Sequence, residues 1–356
     1  MANIAVVGAT GNVGREVLSI IGEMCFSEGK NGDDGEGFVV DKIFALASTS
    51  SSGKHVSMTL QKQIQVQALE NFDFEKNEVD IAFFCAGSAV SEKYIPIASK
   101  AGCVCIDKSS LYRLDKDVPL IVPEVNLPAL KDYSKRNLIA TPNCTTIPLT
   151  LVLKPLDEAY GLKRVVVTTL QSVSGTGKKA MDELFNQTKG YFEAAIQHTE
   201  QDNLTGEVYP KQIAFNCIPQ CDCFSHDGFT KEEDKIANET CKIFGKKIPI
   251  IATCVRVPVF RCHAEVVNVE LEKDFDIEEL MEKLDESPSV VVLNREEDGG
   301  YAVQCEQVGT DCVFVSRIRR DPTVKYGLSF WLVCDNLRKG AALNGVQIAK
   351  ELVKLI

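Results

Sequence analysis

Cys144, His263 and Arg256 are the side chains of this 356-residue sequence whose types and settings suit chemistry at a carbonyl carbon. Cys144 lies in the stretch Asn137-Leu-Ile-Ala-Thr-Pro-Asn-Cys-Thr-Thr146. An apolar run ends at Thr141-Pro142, Asn143 makes the setting polar, and residues 145–158 read as a helix with Pro155 as its expected kink. The thiol therefore falls at a strand-to-helix turn, where unpaired N–H groups and the helix dipole favour the thiolate. The same groups could bind an oxyanion on a carbonyl attacked by the sulfur. Such a nucleophile needs an acid/base partner, most often histidine. Of the four histidines, His55 and His226 read as loop residues and His198 follows a helix, whereas His263 sits among apolar strand residues seven positions after Arg256. On one strand an odd offset sends two side chains to opposite faces unless the chain bends. Pro258 supplies a candidate break. Periodicity alone leaves the pairing of His263 with Cys144 open, because a histidine in a strand is also an ordinary core residue.

The elements that must carry these residues begin with an apolar strand at residues 3–7, followed by Gly8-Ala-Thr-Gly11-Asn-Val-Gly14 and a helical pattern over residues 15–24. Strand, glycine turn and helix together resemble the start of a dinucleotide-binding βαβ unit, in which glycines let a pyrophosphate approach the helix N-terminus. Residues 42–47 read as the second strand. It ends in Ser48-Thr-Ser-Ser-Ser52-Gly53-Lys54, where NAD-binding units usually place a carboxylate for the ribose 2′-hydroxyl. Hydroxyls from Ser48, Ser50 and Ser51 and the Lys54 ammonium suit a 2′-phosphate, so NADP is the expected cofactor. Strands at 80–85 and 103–106 alternate with a helix at 90–101, which predicts a parallel sheet with ligands outside the strand C-termini. Arg113 leaves one such end and suits a bidentate anion contact. Beyond residue 144 the pattern changes. Strands at 164–170, 248–256, 262–271, 313–317 and 327–333, with helices at 178–197 and 231–244, predict a second domain with a mixed or antiparallel sheet. The expected division is a Rossmann-type domain over 1–143 plus a returning helix within 335–356, and an α+β domain over 144–334.

Composition narrows the function. A formal net charge of −11 argues against nucleic-acid or anionic-membrane surfaces, so an anionic substrate needs local cations. Fourteen cysteines without a secretory signal suit a reducing cytoplasm. The pairs Cys103/Cys105 and Cys221/Cys223 lack zinc-site spacing and read as packing cysteines, and no metal is expected. No stretch reaches membrane-spanning length. The acidic, glycine-rich stretch 27–37 reads as a surface loop.

Taken together, Gly8-Ala-Thr-Gly-Asn-Val-Gly14, Val122-Pro-Glu-Val-Asn126, Thr141-Pro-Asn-Cys-Thr-Thr146, Gln171-Ser-Val-Ser-Gly-Thr-Gly177, Arg256-x6-His263 and Asp335-Asn-Leu-Arg-Lys-Gly-Ala-Ala342 resemble aspartate-β-semialdehyde dehydrogenase of the bacterial type over essentially the whole chain. The resemblance implies NADPH-dependent reductive dephosphorylation of L-aspartyl-4-phosphate to L-aspartate-4-semialdehyde, toward lysine, diaminopimelate, methionine and threonine. It implies a homodimer or homotetramer paired through the second domain, which makes residues 144–334 the catalytic and dimerisation domain. By matching position, Cys144 resembles the thioester nucleophile, His263 the acid/base and Gln171 the residue orienting the acyl intermediate. Arg256 resembles the clamp on the substrate carboxylate, and Glu232 its amino partner. Arg113 and Lys235 resemble the phosphate site. Thr10, Gly11, Asn12, Val13, Ser174, Gly175 and Asn336 resemble cofactor contacts.

The sequence departs from this family at three places, one of them the Gly/Asp-rich stretch 27–37, which is longer than usual and has no assigned function. Ser50-Ser51 stands where many relatives carry an arginine, and Lys108 where asparagine is expected. The nearest alternative is N-acetyl-γ-glutamyl-phosphate reductase, which shares the thioester chemistry. A glyceraldehyde-phosphate-type dehydrogenase is disfavoured by Gln171 and by the lack of an acid to read the ribose after the second strand. A catalytically inactive paralogue acting as a binding protein is disfavoured by the presence of both Cys144 and His263.

Overall fold

The computed structural model describes residues 1–26, 39–197 and 206–356; the expectations for the stretch 27–37 and for His198 fall outside these residues. The chain divides into two compact units, Met1–Asn143 with Lys242–Gly245 and Gly340–Ile356, and Cys144–Cys241 with Lys246–Lys339.

The first unit opens with β1 (Ala2–Val7), α1 (Asn12–Phe26), β2 (Val40–Ala47), β3 (His55–Ser57) and β4 (Gln63–Ala68). It continues through β5 (Ile81–Phe84), α2 (Ser88–Lys100), β6 (Val104–Asp107), the short α3 (Pro123–Asn126) and β7 (Leu138–Ala140). Among the described residues these strands form one sheet in the order β3-β4-β2-β1-β5-β6-β7, parallel except for the β3–β4 pair. The central strands are apolar runs buried along their length, as a parallel sheet covered on both faces requires. The sequence reading omitted β3 and β4 and put His55 in a loop. His55 instead pairs with Gln65, and the two strands are short, polar and partly exposed at the sheet edge, where apolar periodicity gives little signal.

The second unit starts from α4 (Thr146–Tyr160), which runs on through Pro155 to a glycine at 161, and β8 (Leu162–Gln171). Then come α5 (Lys178–Gln197), α6 (Lys231–Phe244), β9 (Ile250–Arg256), β10 (His263–Leu271), α7 (Ile277–Asp285), β11 (Val290–Val292), β12 (Val313–Asp321) and β13 (Gly327–Cys334). The sheet is mixed, in the order β11-β12-β13-β10-β8-β9; β8 runs parallel to β9 and antiparallel to β10. On one face α4 packs on β8, β12 and β13, and α7 packs on β12. Ten residues of α4 are buried, among them the continuous run 146–153, so the helix is covered on all sides over its first two turns. A one-turn π segment at Arg338–Leu343 then leads into α8 (Asn344–Val353), which packs on α1 in the first unit.

Candidate active site

Three strand ends of the second sheet meet at one edge. β8 lies between β9 and β10, with Gln171 opposite Arg256 in one ladder and Leu170 opposite Ala264 in the other. Arg256 closes β9 and His263 opens β10, so their odd spacing belongs to two strands flanking a third, not to one strand. The turn between them ends at Cys262, whose φ of 72° lies in the left-handed region. Asn336 holds that residue by accepting the Cys262 N–H at its Oδ1, 2.9 Å away.

Cys144 directly precedes Thr145, the N-cap of α4, and its Sγ lies 3.3 Å from His263 Nε2. His263 is 1% exposed. Its Nδ1 accepts the Ser172 backbone N–H at 3.0 Å, with the Ser172 hydroxyl 3.1 Å away. A backbone N–H can only donate, so Nδ1 carries a lone pair and the proton of the neutral ring sits on Nε2, facing the sulfur. Burial, and next the Arg256 guanidinium, push the imidazole down to about 3, so the ring is uncharged at neutral pH. A neutral Nε2–H beside Sγ suits hydrogen-bond donation to a thiolate or to a tetrahedral oxyanion. The Ser172 hydroxyl is itself tied to Ser174 (3.0 Å) and to Asn336 Oδ1 (3.3 Å).

Around this pair stands a chain of polar groups. Arg256 Nη1 donates to the Ser172 carbonyl at 2.7 Å, while its buried Nε has no partner among the described residues. Gln171 accepts from Thr169 at Oε1 and donates to Glu232 Oε1, each at 3.0 Å, so both ends of its amide are fixed. Glu232 Oε2 accepts from Lys235 at 3.1 Å, and Lys235 also reaches Asp222 at 2.7 Å. Burial pulls the Lys235 ammonium down, but Glu232 and Asp222 outweigh it and leave the pKa raised. Gly175 packs on the catalytic groups: a Cβ there would stand 3.2 Å from His263 Nε2 and 3.3 Å from Arg256 Nη1. Asn143 is buried next to the nucleophile in sequence.

The first unit carries a different site. Gly8 has φ 85°, and a Cβ on it would stand 2.8 Å from the Cys85 carbonyl carbon. A Cβ on Gly14 would come within 2.2 Å of the Gly8 oxygen. Only glycines admit this turn. It borders a cavity of about 300 Å³ lined by Gly8, Thr10, Gly11, Ser48, Glu70 and Tyr94, among others. Asn12 and Val13 form the first turn of α1 beside it, and Ser50 meets the Ser48 hydroxyl at 2.9 Å within the Thr49–Ser51 turn. A glycine cradle at a helix N-terminus and a cavity of this size fit a dinucleotide. The sequence reading found no carboxylate at the end of β2; the structure brings one from the next strand, because β4 runs parallel beside β2 and Glu70 follows its end. Arg113 is in the same unit, buried, and donates from Nη2 to the Lys108 carbonyl at 2.9 Å. Lys108 donates to the Ala341 carbonyl in the π segment, and burial brings its ammonium down to about 8.

Sequence reasoning missed Ser172, Thr169, Asp222 and Glu70. Thr169 was available as the same-face neighbour two residues before Gln171. Ser172 acts largely through its backbone, which leaves no compositional trace. Of the cysteines read as packing residues, Cys103, Cys105 and Cys221 are buried, but Cys223 is exposed in a loop. Among the described residues no group of acidic, histidine and cysteine side chains is arranged to hold a metal, and no helix is long and apolar enough to cross a membrane.

Comparison with known proteins places both units. Residues 33–133 match the semialdehyde dehydrogenase NAD binding domain, and residues 153–339 the semialdehyde dehydrogenase dimerisation domain. The chain is 49% identical over 352 residues to an aspartate-semialdehyde dehydrogenase of Rickettsia bellii, covering 99% of this chain and 98% of that one. It is 44% identical over 352 residues to that of Aquifex aeolicus, with 99% and 98% covered. Its structure superposes on aspartate semialdehyde dehydrogenase II of Vibrio cholerae, solved in complex with ASA, with a TM-score of 0.89 at 42% identity over 99% of this chain and 98% of that one.

Proposed function

The chain belongs to the aspartate-semialdehyde dehydrogenases, NAD(P)-binding oxidoreductases of aspartate-family amino-acid biosynthesis, and from that premise we propose how its residues divide the reaction. The substrate is L-aspartyl-4-phosphate and the products are L-aspartate-4-semialdehyde and phosphate, on the route to lysine, diaminopimelate, threonine and methionine. The Cys144 sulfur attacks the acyl carbon, and the carbon–phosphate oxygen bond breaks to leave a thioester on Sγ. NADP is the assigned cofactor, and when bound in reduced form it supplies the hydride that reduces this thioester. Collapse of the resulting thiohemiacetal oxyanion breaks the carbon–sulfur bond, releases the aldehyde and returns the electron pair to Sγ. His263 holds its proton on Nε2 and stabilises the sulfur anion at the start and the end of the cycle. Gln171 and Asn143 orient the acyl group. Arg256 clamps the substrate carboxylate with its unpartnered Nε side, and Glu232 takes the ammonium. Arg113 and Lys235 are assigned to phosphate, and Thr10 to Val13 with Ser174, Gly175 and Asn336 to the cofactor, by the family resemblance.

The observation that carries this reading is the 3.3 Å approach of Cys144 Sγ to a histidine whose other nitrogen is closed by a backbone N–H. The sheet face opposite α4 exposes Ile251 and Val266, which suits pairing of this domain with a second copy as a homodimer or homotetramer. Free cysteines, four of them exposed or in the site, suit the reducing cytoplasm. The deciding experiment is oxidation of aspartate semialdehyde by NADP with and without phosphate. Turnover should require phosphate and vanish on Cys144→Ala. Comparable turnover of N-acetyl-glutamate semialdehyde would transfer the chain to the alternative reductase reading.

A further inference from the structure

The cofactor cavity contains one group that the reading above does not use. Glu70 lies just beyond β4 and lines the same cavity as Gly8, Thr10, Gly11 and Ser48. Its carboxylate is exposed, and its pKa is lowered by hydrogen bonding to its own backbone N–H and then to Thr49, with the Lys93 ammonium adding to this. The pairing of Ala47 with Ala68 aligns the end of β4 with the end of β2, and Glu70 follows the one as the Thr49–Ser51 turn follows the other. In dinucleotide-binding sheets the adenosine ribose lies at the end of the second strand, where a carboxylate accepts from its 2′-hydroxyl and opposes a 2′-phosphate. Here the second strand ends in serines and the carboxylate arrives from its neighbour.

We propose that Glu70 reads the adenosine ribose of the cofactor, accepting from a 2′-hydroxyl and opposing a 2′-phosphate, so that this chain uses NAD alongside NADP. Ser48 and Ser50 present hydroxyls that serve either cofactor, and the described cavity wall carries no arginine to neutralise the phosphate. Glu70 is exposed at the cavity rim, so solvent screens the repulsion and its effect is a bias, not a block. Lys93 offsets part of that repulsion.

This inference rests on the dinucleotide reading of the first unit, and its test does not need turnover. Titration calorimetry on the full chain compares adenosine 5′-monophosphate with adenosine 2′,5′-bisphosphate, ligands that differ only in the 2′-phosphate, for the wild type and for Glu70→Gln. Removing a like charge close to the 2′-phosphate in a solvent-screened setting should shift the affinity ratio about tenfold toward the bisphosphate in Glu70→Gln. The shift should shrink at high salt. In steady-state assays the ratio of kcat/KM for NADP over NAD should move the same way. An unchanged ratio of the two nucleotides, or equal weakening of both, would overturn the role of Glu70. Failure of both to bind the wild type would remove the cavity as the adenosine site and the inference with it. Normal nucleotide ratios in a chain with no semialdehyde oxidation would instead count against the catalytic reading alone.

Discussion

The two sites are built from different materials. The cofactor cradle of the first unit is mostly backbone: a left-handed glycine, a helix N-terminus and a turn too tight for any Cβ. The candidate catalytic cluster of the second unit is built from side chains of β8, β9, β10 and α6, held by one another and by the Ser172 backbone. Replacements in a backbone site should therefore act on folding and binding together. Replacements in a side-chain network should act on rate while the frame survives.

The largest expected effect tests the second half of that contrast. Cys144→Ser should cost at least about a thousandfold in turnover, since a nucleophile has no substitute in its network, with an unchanged far-ultraviolet spectrum and melting temperature. Single-turnover measurements with acyl phosphate check this, and a variant keeping most of its rate would end the nucleophile assignment. Next comes Arg256→Lys. An ammonium cannot match a guanidinium on a planar carboxylate, and hydrogen bonds to charged groups contribute about 1.5–3 kcal/mol, so kcat/KM should fall roughly ten- to several-hundred-fold. Phosphate affinity should stay nearly constant; the opposite pattern would mean that the two anion roles are exchanged.

Gly14→Ala probes the backbone site. In an ordinary helix such a change is favourable by roughly 0.5–1 kcal/mol. Here the new Cβ meets the Gly8 oxygen at 2.2 Å, so the sign should reverse to a loss of about 1–3 kcal/mol, with cofactor affinity lost as well. Urea denaturation and nucleotide titration read the two halves; a stabilised variant with full affinity would erase the contrast between the units.

The smallest effect concerns pH. With its folded pKa near 3, His263 stays neutral in the native state while a free histidine charges near 6.5. The unfolded chain therefore takes up the proton first. The stabilising contribution is complete above about 6.5 and is lost as pH falls toward 3. Between pH 6 and 8 the rate should carry no inflection from this ring. Denaturation midpoints of the wild type and His263→Gln, followed down to pH 4, should converge on the acid side. A rate step near 6.5 that disappears in His263→Gln would show the ring titrating in the working enzyme.

What was legible in the sequence follows the same division of materials. The cradle could be read because glycine has a conformational meaning of its own, and the parallel sheet because its strands are unbroken apolar runs. The candidate catalytic residues were named by resemblance; spacing alone left His263 ambiguous, since it cannot say that residues 256 and 263 belong to two strands with a third between them. Glu70 was missed for a related reason. It reaches the cavity by lateral adjacency in a sheet, across 22 residues of chain from Ser48, at the end of a strand near the sheet edge whose polar residues gave no period. Ser172 was missed because its contribution to His263 comes partly through an amide that every residue but proline possesses.

The ladder that sets Gln171 opposite Arg256 has a consequence for how such a chain can vary. Strand side chains alternate faces, so one residue inserted in β8 ahead of Thr169 would turn Gln171 to the far face while Arg256 and His263, held by their own strands, stayed where they are. No single substitution could repair the mismatch. Point changes at the three positions can be sampled one at a time, but changes of length in β8, β9 or β10 are penalised as a block. Length variation in this unit should therefore collect in the connections between strands, such as residues 293–312, and not in the strands that end at the site.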